Sequence, residues 1–231
     1  MNATTHMRDF DAQERRAVAL TAGGSTLKTI GGVAVMALAI LALIGVLPAL
    51  LTAIAGIVFG AAMLAEGLSI SSEYSALSRY IAYDSTEVAE FGGGLGVEVL
   101  VGLAAVALGV LSLLGVAAPT LLPALIIVGG VGLMLSAGTT QRLNDLQLAA
   151  VGHDDMARRV TRDAMTGAAA AQTLGGLAAM VLGILSLVSV SPLAAAGFGT
   201  LPQVGMLVLG TATALSGGAL AGKATRIYRH S

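Results

Sequence analysis

The sequence predicts an all-α integral membrane protein: a polytopic membrane bundle of six transmembrane helices arranged as three tandem αα-hairpin repeats. Three observations predict it. First, 56% of the 231 residues are hydrophobic and only 11% are charged, where a soluble domain carries about 25% charged residues. The mean hydropathy is +0.88. Second, six apolar stretches (28–47, 49–70, 96–117, 120–140, 168–190 and 201–222) each have the length of about 20 residues that spans a hydrocarbon core. Third, LKTIGGVAVMALAILALIGV (27–46), VEVLVGLAAVALGVLSLLGV (97–116) and AQTLGGLAAMVLGILSLVSV (171–190) align without a gap. Such self-similarity is the mark of a repeat architecture.

The elements follow in order. Residues 1–27 form an N-terminal arm, whose MNATTHMRDFDAQERR mixes both signs of charge and has no compact apolar run; it does not read as a secretory signal. Hairpin 1 covers 28–70 and turns at Pro48. A polar connector, 71–95, leads to hairpin 2 (96–140), which turns near Pro119 and Pro123. A second, amphipathic connector, 141–167, leads to hairpin 3 (168–222), whose longer turn holds Pro192 and Pro202. Residues 223–231 are a tail. Proline lacks an amide donor and clashes with the preceding turn, so each long apolar block is read as two helices. In the second helices FGAAMLAEG (59–67) matches LGTATALSG (209–217). Two spans per unit give every copy the same polarity, a parallel repeat.

Charge locates the loops. All 12 Lys/Arg and all 13 Asp/Glu lie in the arm, the connectors, the tail or the adjoining span ends, and the hairpin tips have none. Because Lys and Arg favour the cytoplasmic side, both termini and both connectors are expected there, in a bacterial cytoplasmic membrane. The connectors are expected to form interfacial helices. Met156, Val160 and Ala164 recur every four residues, Asp154 and Asp155 precede Arg158 and Arg159 by four, and Asp154 can cap the helix. Tyr74, Tyr80 and Tyr83 can anchor the other connector in a chain without Trp.

Much chemistry has no residues to carry it. Cys is absent, so disulfides, thiolate metal sites and cysteine nucleophiles are excluded. A net charge of -1 gives no footprint for nucleic acid, and no nucleic-acid partner is expected. His153-Asp154-Asp155 and the stripe Asp84, Glu87, Glu90 have no recognised ligand spacing and read as solvated faces. Gly92-Gly93-Gly94 lacks the Lys-Ser/Thr of a phosphate loop and reads as a flexible junction before span three. The three histidines lie in tails or a connector, outside every span. No catalytic residue, metal or cofactor is expected, and the chain is read as no enzyme.

Two residue sets remain. Small residues at packing spacing are Gly56 and Gly60 in span two, Gly175, Ala179 and Gly183 in span five, and Gly210, Ala214, Gly218 and Gly222 in span six. They can bury within the chain or face another protomer or subunit. The repeat also makes Lys28, Glu98 and Gln172 equivalent, with Glu66 nearby. At about 19 residues from its turn, Glu98 is expected near the cytoplasmic boundary, where such side chains snorkel to water. The reading that follows is a non-enzymatic structural or accessory membrane subunit, partnered by lipids and by itself or other membrane subunits. The alternative is a channel or transporter for a small solute or ion, built on the Lys28/Glu98/Gln172 set.

Overall fold

The structure, a computed structural model, describes the backbone of residues 26–78, 85–150, 155–189 and 199–227 and the side chains of 26–68, 96–138, 166–188 and 199–218. Everything in it is helix or tight turn. The helices are α1 (Thr26–Leu43), α2 (Pro48–Ser78), α3 (Ser85–Leu113), α4 (Ala118–Ala150), α5 (Asp155–Ser189) and α6 (Leu201–Ile227). Five of them, α1 to α5, are long and apolar enough to cross a membrane. In α6, Pro202, Gln203 and the run of glycines and threonines dilute the apolarity, but its 27 residues exceed the length of about 20 that a crossing needs.

Prolines start the second helices without ending the first ones. Pro48 opens α2, while Pro119 and Pro202 are the second residues of α4 and α6, where a missing amide donor costs nothing. The stops belong to Gly45 and Gly115, at φ +91° and +79°. Gly45 N–H donates to Ala42 O and Val46 N–H to Leu41 O, both at 3.1 Å, and Gly115 and Val116 repeat the pattern to Ser112 and Leu111. This is the Schellman closure of a helix end.

The connectors are not separate interfacial helices. The backbone of α2 runs on to Ser78, α3 begins at Ser85, α4 continues to Ala150 and α5 starts at Asp155. Gly92, Gly93 and Gly94 lie inside α3, so they make no break there. An uninterrupted hydrogen-bond ladder costs less than ending and renucleating a helix between two elements. The connector and tail features Tyr74, Tyr80, Tyr83, Asp84, Glu87, Glu90, His153, Asp154, Arg158, Arg159, Met156, Val160, Ala164 and Gly222 lie outside the described side chains.

The three hairpins surround an axis. Within each, one small residue lets the two helices meet: Gly31 faces Ala62, Gly132 faces Val101, and Gly175 faces Ala212. Between hairpins, glycine again meets glycine. A Cβ on Gly102 would stand 2.8 Å from Gly60 O, one on Gly176 2.5 Å from Gly130 O, and one on Gly32 2.8 Å from Gly210 O. The last contact joins α1 to α6 and closes the ring. Because the repeat makes Gly32, Gly102 and Gly176 equivalent, the closure is pseudo-three-fold.

Inside the ring, α2, α4 and α6 touch one another. Gly56 admits Leu125, Gly205 admits Ile126, and Gly129 admits Leu209 and Phe59. Phe59, Met63, Leu125, Ile126, Leu133, Met206 and Leu209 are fully buried there. The outer helices α1, α3 and α5 turn equivalent apolar residues outward, among them Ile30, Leu100 and Leu174. An exposed apolar band of this kind suits lipid, and helical backbone, with its polar groups paired within each helix, can cross it.

Candidate functional site

Among the described side chains just three are ionisable, Lys28, Glu66 and Glu98, and all three meet at one level of the bundle. Their positions follow from the repeat. Lys28, Glu98 and Gln172 occupy the same place on α1, α3 and α5, while Glu66, Ser136 and Ser216 occupy the same place on α2, α4 and α6. Every one of the six is buried. They make a polar collar beneath the apolar centre of the inner helices.

The expectation that these groups snorkel to water is not met. Lys28 is 0% exposed, Gln172 1%, Glu98 3% and Glu66 4%. Five of the helices, α2 to α6, run on past the collar. Past Glu66, α2 continues to Ser78, about 18 Å at 1.5 Å per residue, and α3, α4 and α5 extend comparably. A side chain that starts on the inner face beneath such an extension has no short route to solvent.

The Lys28 ammonium forms a buried ion pair with the Glu66 carboxylate, tying α1 to α2. Glu98 lies within electrostatic range of both Glu66 and Lys28. It also sits against α2, where a Cβ on Gly67 would be 3.3 Å from Glu98 Cβ. Across the hairpin, the Ser136 hydroxyl reaches the Glu98 carboxylate. It also lies 3.2 Å from Leu133 O, and one hydroxyl proton serves only one of these acceptors.

Three other buried hydroxyls are provided for by their own helix, whereas Ser112 Oγ, near the far end of α3, has no partner. Thr52 donates to Pro48 O at 2.6 Å, Thr213 to Leu209 O at 2.7 Å and Ser216 to Thr213 O at 3.0 Å. In the collar, Glu98 Oε2 and Gln172 Oε1 have no hydrogen-bond partner. Buried polar atoms in folded proteins are nearly always partnered, so two unpartnered acceptors at one level stand out.

The small residues lie elsewhere in the fold, and most of them spend their smallness inside the chain. Gly56 and Gly60 receive Leu125 and the α3 backbone at Gly102 and Val106. Gly175 meets Ala212, and Gly183 meets Ile127 and the Pro123 carbonyl. Gly210 meets Val35 and Met36, Ala214 meets Gly32, and Ala179 is fully buried. Gly218 alone of this set, among the described residues, has open space around it.

Serine in the second helices was not singled out from the sequence. The alignment of 59–67 with 209–217 places Ser216 opposite Glu66, and extending it to 129–137 adds Ser136, so the signal for the full collar was present.

Fold and collar together define a polytopic all-α membrane bundle with a buried polar collar beneath its apolar centre. The chain was compared with protein-family models, curated proteins and solved structures, and none of them matches it.

Proposed function

We propose that this chain is a non-enzymatic membrane carrier for a small solute or ion, with the collar as its binding centre. One observation carries the reading: a lysine and two glutamates are buried together on the inside of a pseudo-three-fold bundle. A bundle that served only as scaffold would be at least as stable with apolar residues at these positions. Ionisable groups held inside spans mark solute or ion paths by default. The fully buried apolar centre above the collar supports a carrier over an open channel. Solute passes when the inner helices part, first on one side and then on the other. Both termini and the long helix extensions are placed on the cytoplasmic side, following the Lys/Arg distribution.

The test is flux in proteoliposomes for alkali cations, protons and small neutral solutes. Glu98→Gln and Lys28→Met are expected to cut flux by about tenfold or more, the loss of a contact of ~1.4 kcal/mol, with folded yield of Glu98→Gln unchanged. Flux equal to wild type in both variants, or no flux of any solute, sinks the reading.

A second reading, an accessory subunit of a membrane complex, is favoured by Gly218. It lies on the small-residue stripe of α6 with open space around it, and a partner helix can approach it closely. Gentle extraction from the native membrane followed by intact-particle mass measurement separates the two. A heteromeric particle of fixed stoichiometry supports the accessory role, and a lone monomer removes it.

A further inference from the structure

We propose that the collar binds one monovalent cation, a sodium ion or a proton, at the Glu98 carboxylate, with Gln172 contributing a second acceptor oxygen to the same collar. The proposal rests on the reading of the collar as a binding centre and names its ligand.

Charge comes first. The described part of the bundle buries one lysine and two glutamates, so with all three ionised the collar carries a net charge of one negative unit. Lys28 is committed to Glu66. That leaves Glu98 without a cation of its own, buried where an unpaired carboxylate is strongly disfavoured. A single positive charge balances the collar, whereas a divalent ion would reverse its sign.

The donor chemistry points the same way. Glu98 Oε2 and Gln172 Oε1 are buried acceptors without donors, one anionic and one neutral, on adjacent hairpins at the same register. Acceptor oxygens without donors are what a hard cation, or a proton bridging to an oxygen, requires. The groups facing Glu98 are Lys28 from α1, Glu66 from α2 and Ser136 from α4. No histidine or further carboxylate occurs among the described side chains to take the charge instead. The hydroxyls cannot fill the gap, since Ser216 donates within its own helix and Ser136 has two acceptors for one proton. Close approach of α2 at Gly67 walls the Glu98 side of the collar.

The experiment uses the full chain in lipid nanodiscs. Thermal unfolding is followed in sodium chloride and in choline chloride of equal strength, from neutral to acid pH, for wild type and Glu98→Gln. The expected result for sodium is a higher midpoint in sodium than in choline, fading on acidification as protons compete, and absent in Glu98→Gln. If the cation is a proton, the two salts agree, and wild type shows a protonated-carboxyl infrared band that Glu98→Gln lacks. Two results overturn the proposal. One is a sodium effect that survives Glu98→Gln; the other is the absence of both a sodium effect and a Glu98-dependent band.

Should Glu98→Gln fail to fold, Gln172→Met replaces the neutral acceptor and leaves the charge in place. It is expected to weaken radioactive-sodium binding by about tenfold, or ~1.4 kcal/mol, or to shift the infrared titration, and an unchanged value for both overturns the proposal. Binding and transport fail separately. A Glu98-dependent cation with no flux supports the site and sinks the carrier. Flux without any Glu98-dependent sodium effect or infrared band sinks the site and leaves the carrier standing.

Discussion

Gly32 on α1 lies against Gly210 on α6, so close that a Cβ on Gly32 would stand 2.5 Å from Ala214 N and 2.8 Å from Gly210 O. This contact joins the first hairpin to the third, and the atoms that would be struck are backbone. Backbone cannot swing aside as the end of a flexible side chain can. Gly32→Val, Gly102→Val and Gly176→Val are therefore expected to destabilise the bundle by about 1–3 kcal/mol or more each, the cost of overpacking a fitted interface. Gly96→Val is the control, because a Cβ there meets nothing within 4 Å. Reversible unfolding in bicelles reads all four. A Gly32 variant as stable as the Gly96 variant would mean that the ring is open between α1 and α6.

The hairpin interfaces exchange bulk between their two sides. Hairpins one and three place glycine on the first helix against alanine on the second, as Gly31–Ala62 and Gly175–Ala212. Hairpin two reverses the order with Val101 against Gly132, where a Cβ on Gly132 would be 2.5 Å from Val101 Cγ1. Gly132→Ala is thus expected to cost about 1–3 kcal/mol by itself. Adding Val101→Gly recreates the arrangement of the other two hairpins and is expected to recover most of it. The double-mutant cycle should show coupling of about 0.5–3 kcal/mol, the range for residues in contact. Additive losses would contradict the interface.

Lys28 and Glu66 stand or fall as a pair. Lys28→Met leaves the Glu66 carboxylate buried without its cation, and breaking a buried pair from one side costs about 3–5 kcal/mol. Replacing both, as Lys28→Met with Glu66→Leu, removes the stranded charge and is expected to restore most of that loss. Unfolding midpoints of the single and double variants decide. A double variant no more stable than Lys28→Met alone would show that the pair does not account for the stability of the collar.

The architecture was legible because membrane helices obey a coarse constraint: about 20 apolar residues per crossing. The ungapped repeat likewise brings Lys28, Glu98 and Gln172 to one level. What could not be read was which way those side chains faced. Lys28 is buried against Glu66 of α2, a pairing that the spacing of the two residues does not reveal, and a polar stretch such as SISSEYSALS gives no sign that its helix is unbroken. The closed ring was also out of reach. Gly32 and Gly210 are far apart in sequence, and each belongs to a small-residue pattern that fits any neighbour. The hairpin stops were misassigned to proline because Pro48 and Pro119 are the conspicuous residues, whereas the backbone turns at Gly45 and Gly115.

Those two glycines supply the last prediction. A Cβ on Gly45 would meet nothing within 4 Å, as on Gly115, so any penalty for a side chain there comes from the backbone and not from crowding. At φ +91° and +79°, an L residue is forced into left-handed space at a cost of about 1–2 kcal/mol. Gly45→Ala and Gly115→Ala are each expected to lose that much stability. Gly45→Asn should lose less, since asparagine visits positive φ more readily than alanine. Equal losses for alanine and asparagine would point to side-chain contacts. No loss for either would mean that the Gly45 and Val46 amides do not depend on the Schellman closure seen at 3.1 Å to Ala42 and Leu41.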